Sequence, residues 1–296
     1  MTGVVSSLAS NLARIVPSED RLSGYLLRLS RPRFWFYLAG PVVVGAAYAA
    51  NGTAELLTPL TFALFAYFLV PANVFLYGVN DAFDRDIDEH NPKKDEKEVR
   101  YRGGTAVRVV VALAGLLAVP LLVVLPTVGT LAFALYLFLA VEYSAPPLRF
   151  KTTPLLDSLS NGLYALPGVI AFVAVADALP PTAAIAGAWL WTMAMHTFSA
   201  IPDIEPDREA GISTTATFLG EGPTYAYCGV VWLAAAAAFA LVDYRLGLLL
   251  SVYPLFVTGV ALSDVAVDRA YWWFPFLNTV VGAVMTMGKL WVMLYA

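Results

Sequence analysis

Tyr77-Gly78-Val79-Asn80-Asp81-Ala82-Phe83-Asp84-Arg85-Asp86-Ile87-Asp88 closes an apolar run that begins near residue 56 and is long enough to cross a bilayer. A second apolar run, near 183–201, ends in the same manner, in Pro202-Asp203-Ile204-Glu205-Pro206-Asp207. Carboxylates are unfavourable at a membrane boundary, so two such clusters at the ends of hydrophobic helices call for a strongly cationic partner. Sets of oxygen ligands favour hard ions such as Mg²⁺ over zinc or copper. The pattern points to a site for a magnesium-bound diphosphate.

Composition supports the membrane reading. The chain of 296 residues is 59% hydrophobic and 14% charged, with a mean hydropathy of +0.70, which excludes an ordinary soluble domain. Apolar runs near 34–50, 56–79, 107–125, 127–143, 155–176, 183–201, 223–242, 246–263 and 271–294 predict nine transmembrane helices. Pro126 and Gly129 divide the third of these from the fourth. Residues 1–33 lack the apolar core and small-residue cleavage site of a signal peptide. They are expected to form a cytosolic or interfacial segment ahead of a transmembrane domain over 34–296.

Orientation follows from the basic residues. Of the 18 lysines and arginines, all but Arg245 and Lys289 fall on the side of the N-terminus if the spans alternate. The positive-inside rule then places the N-terminus and the motif-bearing loops in the cytoplasm of a multi-pass protein of the cell membrane. The formal charge of −4 carries little information about partners, because the acids concentrate in the motifs. No nucleic-acid partner is expected. A single cysteine, Cys228, excludes an internal disulfide and reads as an apolar helix filler.

If the second span stays helical through residue 88, Asn80, Asp84, Asp88 and Asp81 fall at roughly 0, 40, 80 and 100° on one face, with Asp86 near 240°. Asp203 and Asp207 are also four apart, although Pro202 and Pro206 predict a kink or a helix end there. The recurrence suggests two pseudo-repeated four-helix halves around a central cavity. Between the clusters lies Tyr143-Ser144-Ala145-Pro146-Pro147-Leu148-Arg149-Phe150-Lys151. Its prolines stiffen a loop, and Arg149 and Lys151, with the Tyr143 and Ser144 hydroxyls, suit diphosphate oxygens left over by metal. Lys93 and Lys94 fit a loop closing over the diphosphate, with membrane anchoring as the equal alternative. Asp157 and Asn161 either reach the site or cap a helix. His196 reads as a hydrogen-bonded helix residue, and Lys289 as a snorkelling residue or a ligand for an acidic acceptor.

The combination Asn80-Asp81-x-x-Asp84-x-x-x-Asp88, Tyr143-Ser144 to Lys151, and Asp203-x-x-x-Asp207 followed by Arg208, Gly211 and Thr214-Thr215 resembles the UbiA superfamily of intramembrane prenyltransferases. The likeness runs from about 25 to 294. It implies an all-α bundle of nine transmembrane helices binding Mg²⁺ and a prenyl diphosphate under a cytoplasmic cap, with a chamber open to lipid. Where many members carry Asn-x-Pro-x-Arg-Pro, this chain has Asn91-Pro92-Lys93-Lys94-Asp95. With His196 to Asp207, that is most similar to lycopene elongases of C50 carotenoid synthesis. The resemblance implies dimethylallyl diphosphate as donor and lycopene or another carotenoid as hydrophobic acceptor, both met at the lipid bilayer.

On this reading Asp81, Asp84, Asp88, Asp203 and Asp207 hold Mg²⁺, Asn80 orients a phosphate or a metal-bound water, and Asp84, Asp203, Asp207 and Lys151 are the catalytic set. Arg149 and Lys151 stabilise charge on the leaving diphosphate. Ionisation gives an allylic cation that needs a dry, aromatic cavity. A polyene double bond attacks it, and the new tertiary cation loses a proton or captures water. The alternatives are an aromatic quinone precursor or glycerol-phosphate lipid as acceptor, and a divalent-cation transporter with no enzymatic role.

Overall fold

The computed structural model describes residues 17–18, 20–84 and 103–295, and the described residues are helical with no strand. A short helix α1, Leu22–Leu29, precedes the bundle. The principal helices are α2 Trp35–Ala49, α3 Pro59–Phe83 and α4 Thr105–Val124, α5 Thr127–Glu142, α6 Leu156–Ala176 and α7 Thr182–Ser199. Two short helices follow, α8 Ile204–Glu209 and α9 Thr215–Leu219. The last three are α10 Glu221–Ala240, α11 Tyr244–Ala261 and α12 Val267–Tyr295.

Six of these, α3, α4, α6, α10, α11 and α12, are long and apolar enough to cross a membrane. Helix α5 is a shorter apolar helix, and α2 has 15 residues. The protein is thus an all-helical, multi-pass membrane protein. Many large apolar side chains face outward, among them Val123, Leu241, Leu248 and Leu262. A surface of that kind is solvated by lipid rather than water.

Prolines break the helical hydrogen-bond ladder at positions where side chains repair it. Thr58 caps α3, accepting a hydrogen bond from the Thr61 amide at 3.2 Å, with Pro59 in the first turn. Within α3, Pro71 interrupts the ladder, and Asn73 Nδ2 donates to the Phe68 and Leu69 carbonyls, both at 3.0 Å. In α12, Pro275 has no N–H for the Tyr271 carbonyl. Arg33 supplies the donor instead, at 3.2 Å, and its guanidinium lies 3.8 Å from the Trp272 ring centroid. This contact ties the chain just before α2 to the start of the last helix.

Two large buried cores form, beside a smaller one in which Tyr25 and Leu29 of α1 meet Val74 of α3 and Val107 of α4. One, around Phe68, Phe133 and Tyr136, belongs to α2 through α6. The other, around Phe198, Trp232, Tyr253 and Phe274, belongs to α7, α10, α11 and α12, with Tyr37 of α2 joining it. Helix α2 therefore sits against both groups, packing on α6 on one side and α12 on the other.

Close packing is sharpest where α6 meets α7. A Cβ at Gly162 would lie 1.8 Å from the Trp189 indole, and that ring is held by its Nε1 donating to the Leu159 carbonyl at 2.9 Å. Gly162→Ala must push the indole out of place, and overpacking of this kind costs about 1–3 kcal/mol. We expect a lowered melting temperature in detergent. An unchanged melting curve would contradict the rigidity of the α6–α7 contact.

Candidate active site

Helix α3 closes at Phe83, earlier than the sequence suggests, with Asp84 as its C-terminal cap. That closure turns two carboxylates inward, since Asp81 is 1% and Asp84 2% exposed. Buried carboxylates require partners, and both have arginines. Arg31 Nη2 stands 3.2 Å from Asp81 Oδ1, and the Arg31 guanidinium also lies 4.4 Å from the Tyr77 ring centroid. Arg149 Nη2 stands 3.5 Å from Asp84 Oδ1, and Lys151 Nζ contacts Asp84 Oδ2 directly. Arg149 also donates to the Phe83 carbonyl at 3.3 Å, placing a cation at the negative end of α3.

The two arginines are presented by the same backbone device. Arg31 has φ 50° and Arg149 φ 42°, each in the left-handed region just before a 3₁₀ turn. A left-handed conformation costs a non-glycine residue roughly 1–2 kcal/mol, and such residues gather at functional sites. Here the turn after α5 is further closed by Lys151 N donating to the Tyr143 carbonyl at 3.0 Å. The result aims Arg149 and Lys151 at one carboxylate.

A polar cavity of about 180 Å³ adjoins these pairs, and its lining includes Arg31, Asn80, Tyr143, Asn161, His196 and Tyr271. Tyr143 and His196 meet through their polar atoms, 3.2 Å apart. His196 Nε2 is 4.0 Å from Asp157 Oδ2, and the charge of Asp203 is also felt at His196. The chain bends after α7 through a 3₁₀ turn, Ile201–Asp203, and resumes as α8. This matches the kink expected at Pro202 and Pro206, and it brings the second acid motif to the end of the bundle that holds the first.

The sequence-selected residues therefore divide into three groups. Asn80, Asp81, Asp84, Tyr143, Arg149 and Lys151 lie at one site. Asp203, whose charge reaches His196, and Asp207 are half-buried, while Ser144 is fully buried. Asp88, Lys93 and Lys94 lie outside the described residues. Among the described residues, no three His, Cys, Asp or Glu side chains already cluster as a metal site. The donors are nonetheless suited to a hard cation. Asp84 Oδ1 is buried and accepts no hydrogen bond, and neither does the Ser144 hydroxyl find a partner. An oxygen that lacks a hydrogen bond in so polar a cluster can serve as a ligand to an ion.

Sequence reasoning missed Arg31, Tyr37, Tyr77 and Tyr164. Tyr37 and Tyr164 also line a second, almost wholly apolar cavity of about 600 Å³, between α2, α6, α7, α11 and α12. Their rings meet edge to face, with centroids 6.2 Å apart. A polar cavity carrying Arg31 and an oily one thus share an aromatic wall. Lys289 is not among the residues lining either.

Residues 38–280 match the model of the UbiA prenyltransferase family. A lycopene elongase/hydratase of Haloarcula japonica is 62% identical over 285 residues, spanning 96% of this chain and 97% of the relative. A second, of Haloferax volcanii, is 66% identical over 272 residues, spanning 92% and 90%. Among solved structures, a UbiA homolog from Archaeoglobus fulgidus bound to DMAPP and Mg²⁺ superposes with a TM-score of 0.70 at 19% identity, covering 92% of this chain and 99% of that one.

Proposed function

The chain belongs to the UbiA prenyltransferase family and is a prenyltransferase, and on that premise we propose that it transfers a dimethylallyl group from its diphosphate onto an end of lycopene, with water captured at the acceptor. The observation that carries this reading is the shared wall of Tyr37 and Tyr164. It joins the polar cavity, lined by Arg31 and flanked by the Arg149–Lys151–Asp84 cluster, to an apolar one fit for a hydrocarbon. The relatives named lycopene elongase/hydratase point to the same acceptor, and the DMAPP-bound structural neighbour to the same donor class.

Asp81, Asp84, Asp203 and Asp207 would hold Mg²⁺, together with Asp88. Bound there, the ion supplies positive charge that neutralises the departing diphosphate. Arg149 and Lys151, paired with Asp84 beside the cavity, would turn to phosphate oxygens, and Arg31 and Asn80 line the cavity itself. Lys93 and Lys94 are assigned to the donor on sequence grounds alone. Donors fixed where charge develops need no reorganisation at the moment of bond cleavage. Breaking the donor's C–O bond produces an allylic cation beside Tyr37, Tyr164 and Tyr271, whose ring faces stabilise positive charge and exclude water. The terminal double bond of the acceptor attacks it from the apolar cavity.

An acidic acceptor would need a cation inside that cavity. Lys289 does not line it, which favours a polyene over an aromatic acid or a glycerol-phosphate lipid. A transporter reading predicts polar groups through the membrane centre, whereas the motif acids gather at one end. The motif-bearing end is assigned to the cytoplasm by its basic residues. The three remaining apolar helices, α2, α5 and α7, complete nine crossings in two halves, which the two aromatic cores support. Residues 1–33, of which 1–16 and 19 lie outside the described residues, are assigned on sequence grounds as a cytosolic or interfacial segment ahead of the domain.

Expression in a lycopene-accumulating host, followed by pigment mass analysis, tests the proposal. We expect a gain of one or two C5 units, each with one water. Unaltered lycopene in the presence of folded, membrane-inserted protein would overturn it.

A further inference from the structure

The apolar cavity contains a small polar cluster for which a hydrocarbon has no use. Trp191 of α7, Tyr253 of α11 and Asn278 of α12 all line it. The Tyr253 hydroxyl donates to Asn278 Oδ1 at 3.0 Å, and the Tyr253 and Trp191 rings pack edge to face with centroids 5.4 Å apart. Occupation of Oδ1 fixes the direction of the amide, and its Nδ2 is buried without an acceptor. Trp191 Nε1 is also buried, turned toward the Tyr253 hydroxyl. A buried donor left unmet costs about 1–3 kcal/mol. An unmet amide donor on an otherwise apolar cavity marks a place fit to receive an oxygen atom.

We propose that Asn278, Tyr253 and Trp191 form an oxygen-binding subsite that holds the water captured by the acceptor cation. The proposal rests on the elongation reading above, because it assigns the second half of that reaction. Lycopene carries no oxygen, so the oxygen in this subsite belongs to water or to the hydroxyl that water becomes. Its depth suits the role. Asn278 follows Tyr271 of the polar cavity by seven residues on α12, or about 10 Å of helix. Water held there approaches the acceptor from the apolar cavity, on the side away from the diphosphate.

The Asn278 amide donates to one lone pair of the held oxygen, which leaves the other for the cationic carbon. That pair forms the new C–O bond. One O–H bond of the water breaks, and its proton leaves with the diphosphate released in the first step. Tyr253 is a positioning residue, since its hydroxyl orients the amide.

The test uses the full chain in a lycopene-accumulating host with Asn278→Leu, Tyr253→Phe and wild type, reading hydrated against unhydrated prenylated pigment by mass. Growth in H₂¹⁸O verifies the origin of the hydroxyl oxygen. In Asn278→Leu we expect the ratio of hydrated to unhydrated product to fall about tenfold with total prenylation retained, and in Tyr253→Phe a smaller fall in the same direction. An unchanged ratio in both folded variants overturns the subsite. So does loss of all prenylation in folded Tyr253→Phe, which would place the cluster in the transfer step, and so does a wild type yielding only unhydrated product. Absence of any prenylated pigment from wild type is a different failure, of the elongation reading itself.

Discussion

Asp84→Asn is expected to reduce prenyl transfer by a factor of about a thousand or more while the protein remains folded. The side chains are nearly the same size, so packing at the end of α3 is kept. What disappears is the charge on a buried carboxylate that faces two cations and whose Oδ1 accepts no hydrogen bond. A thousandfold corresponds to about 4 kcal/mol of transition-state stabilisation, the scale on which a single preorganised electrostatic group acts. Survival of the fold follows from the partners. Lys151 and Arg149 are 14% and 36% exposed at the side chain, so either can turn to water when its anion is gone. Steady-state kinetics on the purified variant, with a melting curve, would check both halves. Wild-type turnover in the folded variant would remove Asp84 from the site.

The parts of this arrangement visible in the sequence are those written in hydropathy and in local spacing. Apolar runs end in acids, and this placed Asp81, Asp84, Asp203 and Asp207 at helix ends before any contact was known. Arg149 and Lys151 were legible because they stand in a short basic segment with few other tasks. Arg31 was not. In the sequence it is one of several arginines ahead of the first span, indistinguishable from residues that anchor the chain at the membrane. Its role depends on a left-handed turn that carries it across to Asp81, fifty positions away. Spacing rules reach one or two helical turns and cannot show such a contact.

The aromatic wall was hidden for another reason. Amphipathic periodicity tells which face of a helix is buried only if another face is polar. Helix α2 is apolar all round, so nothing distinguishes Tyr37 from its neighbours until α6 and α12 are packed beside it. His196 shows both outcomes at once. It is hydrogen-bonded to Tyr143, as expected of a histidine inside a helix, and it also lines the polar cavity, which the sequence did not suggest.

Asp157→Ala is expected to be the most destabilising of these substitutions, lowering stability by about 3 kcal/mol or more. The sequence left Asp157 balanced between a cap and a site residue, and the structure gives it a third role. It is 1% exposed at the start of α6. Its Oδ2 accepts from the Thr215 amide at 2.9 Å, and its Oδ1 accepts from the Thr215 hydroxyl. The Leu155 amide in turn donates to that hydroxyl oxygen at 2.7 Å. One carboxylate thus fastens the beginning of α6 to the beginning of α9, and the segment between α8 and α9 is short. The clamp therefore fixes where α9, and the short segment leading to it from the second acid motif, stand against α6. Truncation strands a buried N–H and a buried hydroxyl together, and each unmet group carries its own desolvation penalty. We expect a melting temperature several degrees lower and, at temperatures where the variant is folded, a raised KM for the prenyl donor with a smaller change in kcat. Asp157→Ala and Thr215→Val should be strongly non-additive when combined, since both remove the same contact. Additive effects, or a donor KM untouched by either, would show that α9 is held by something other than this pair.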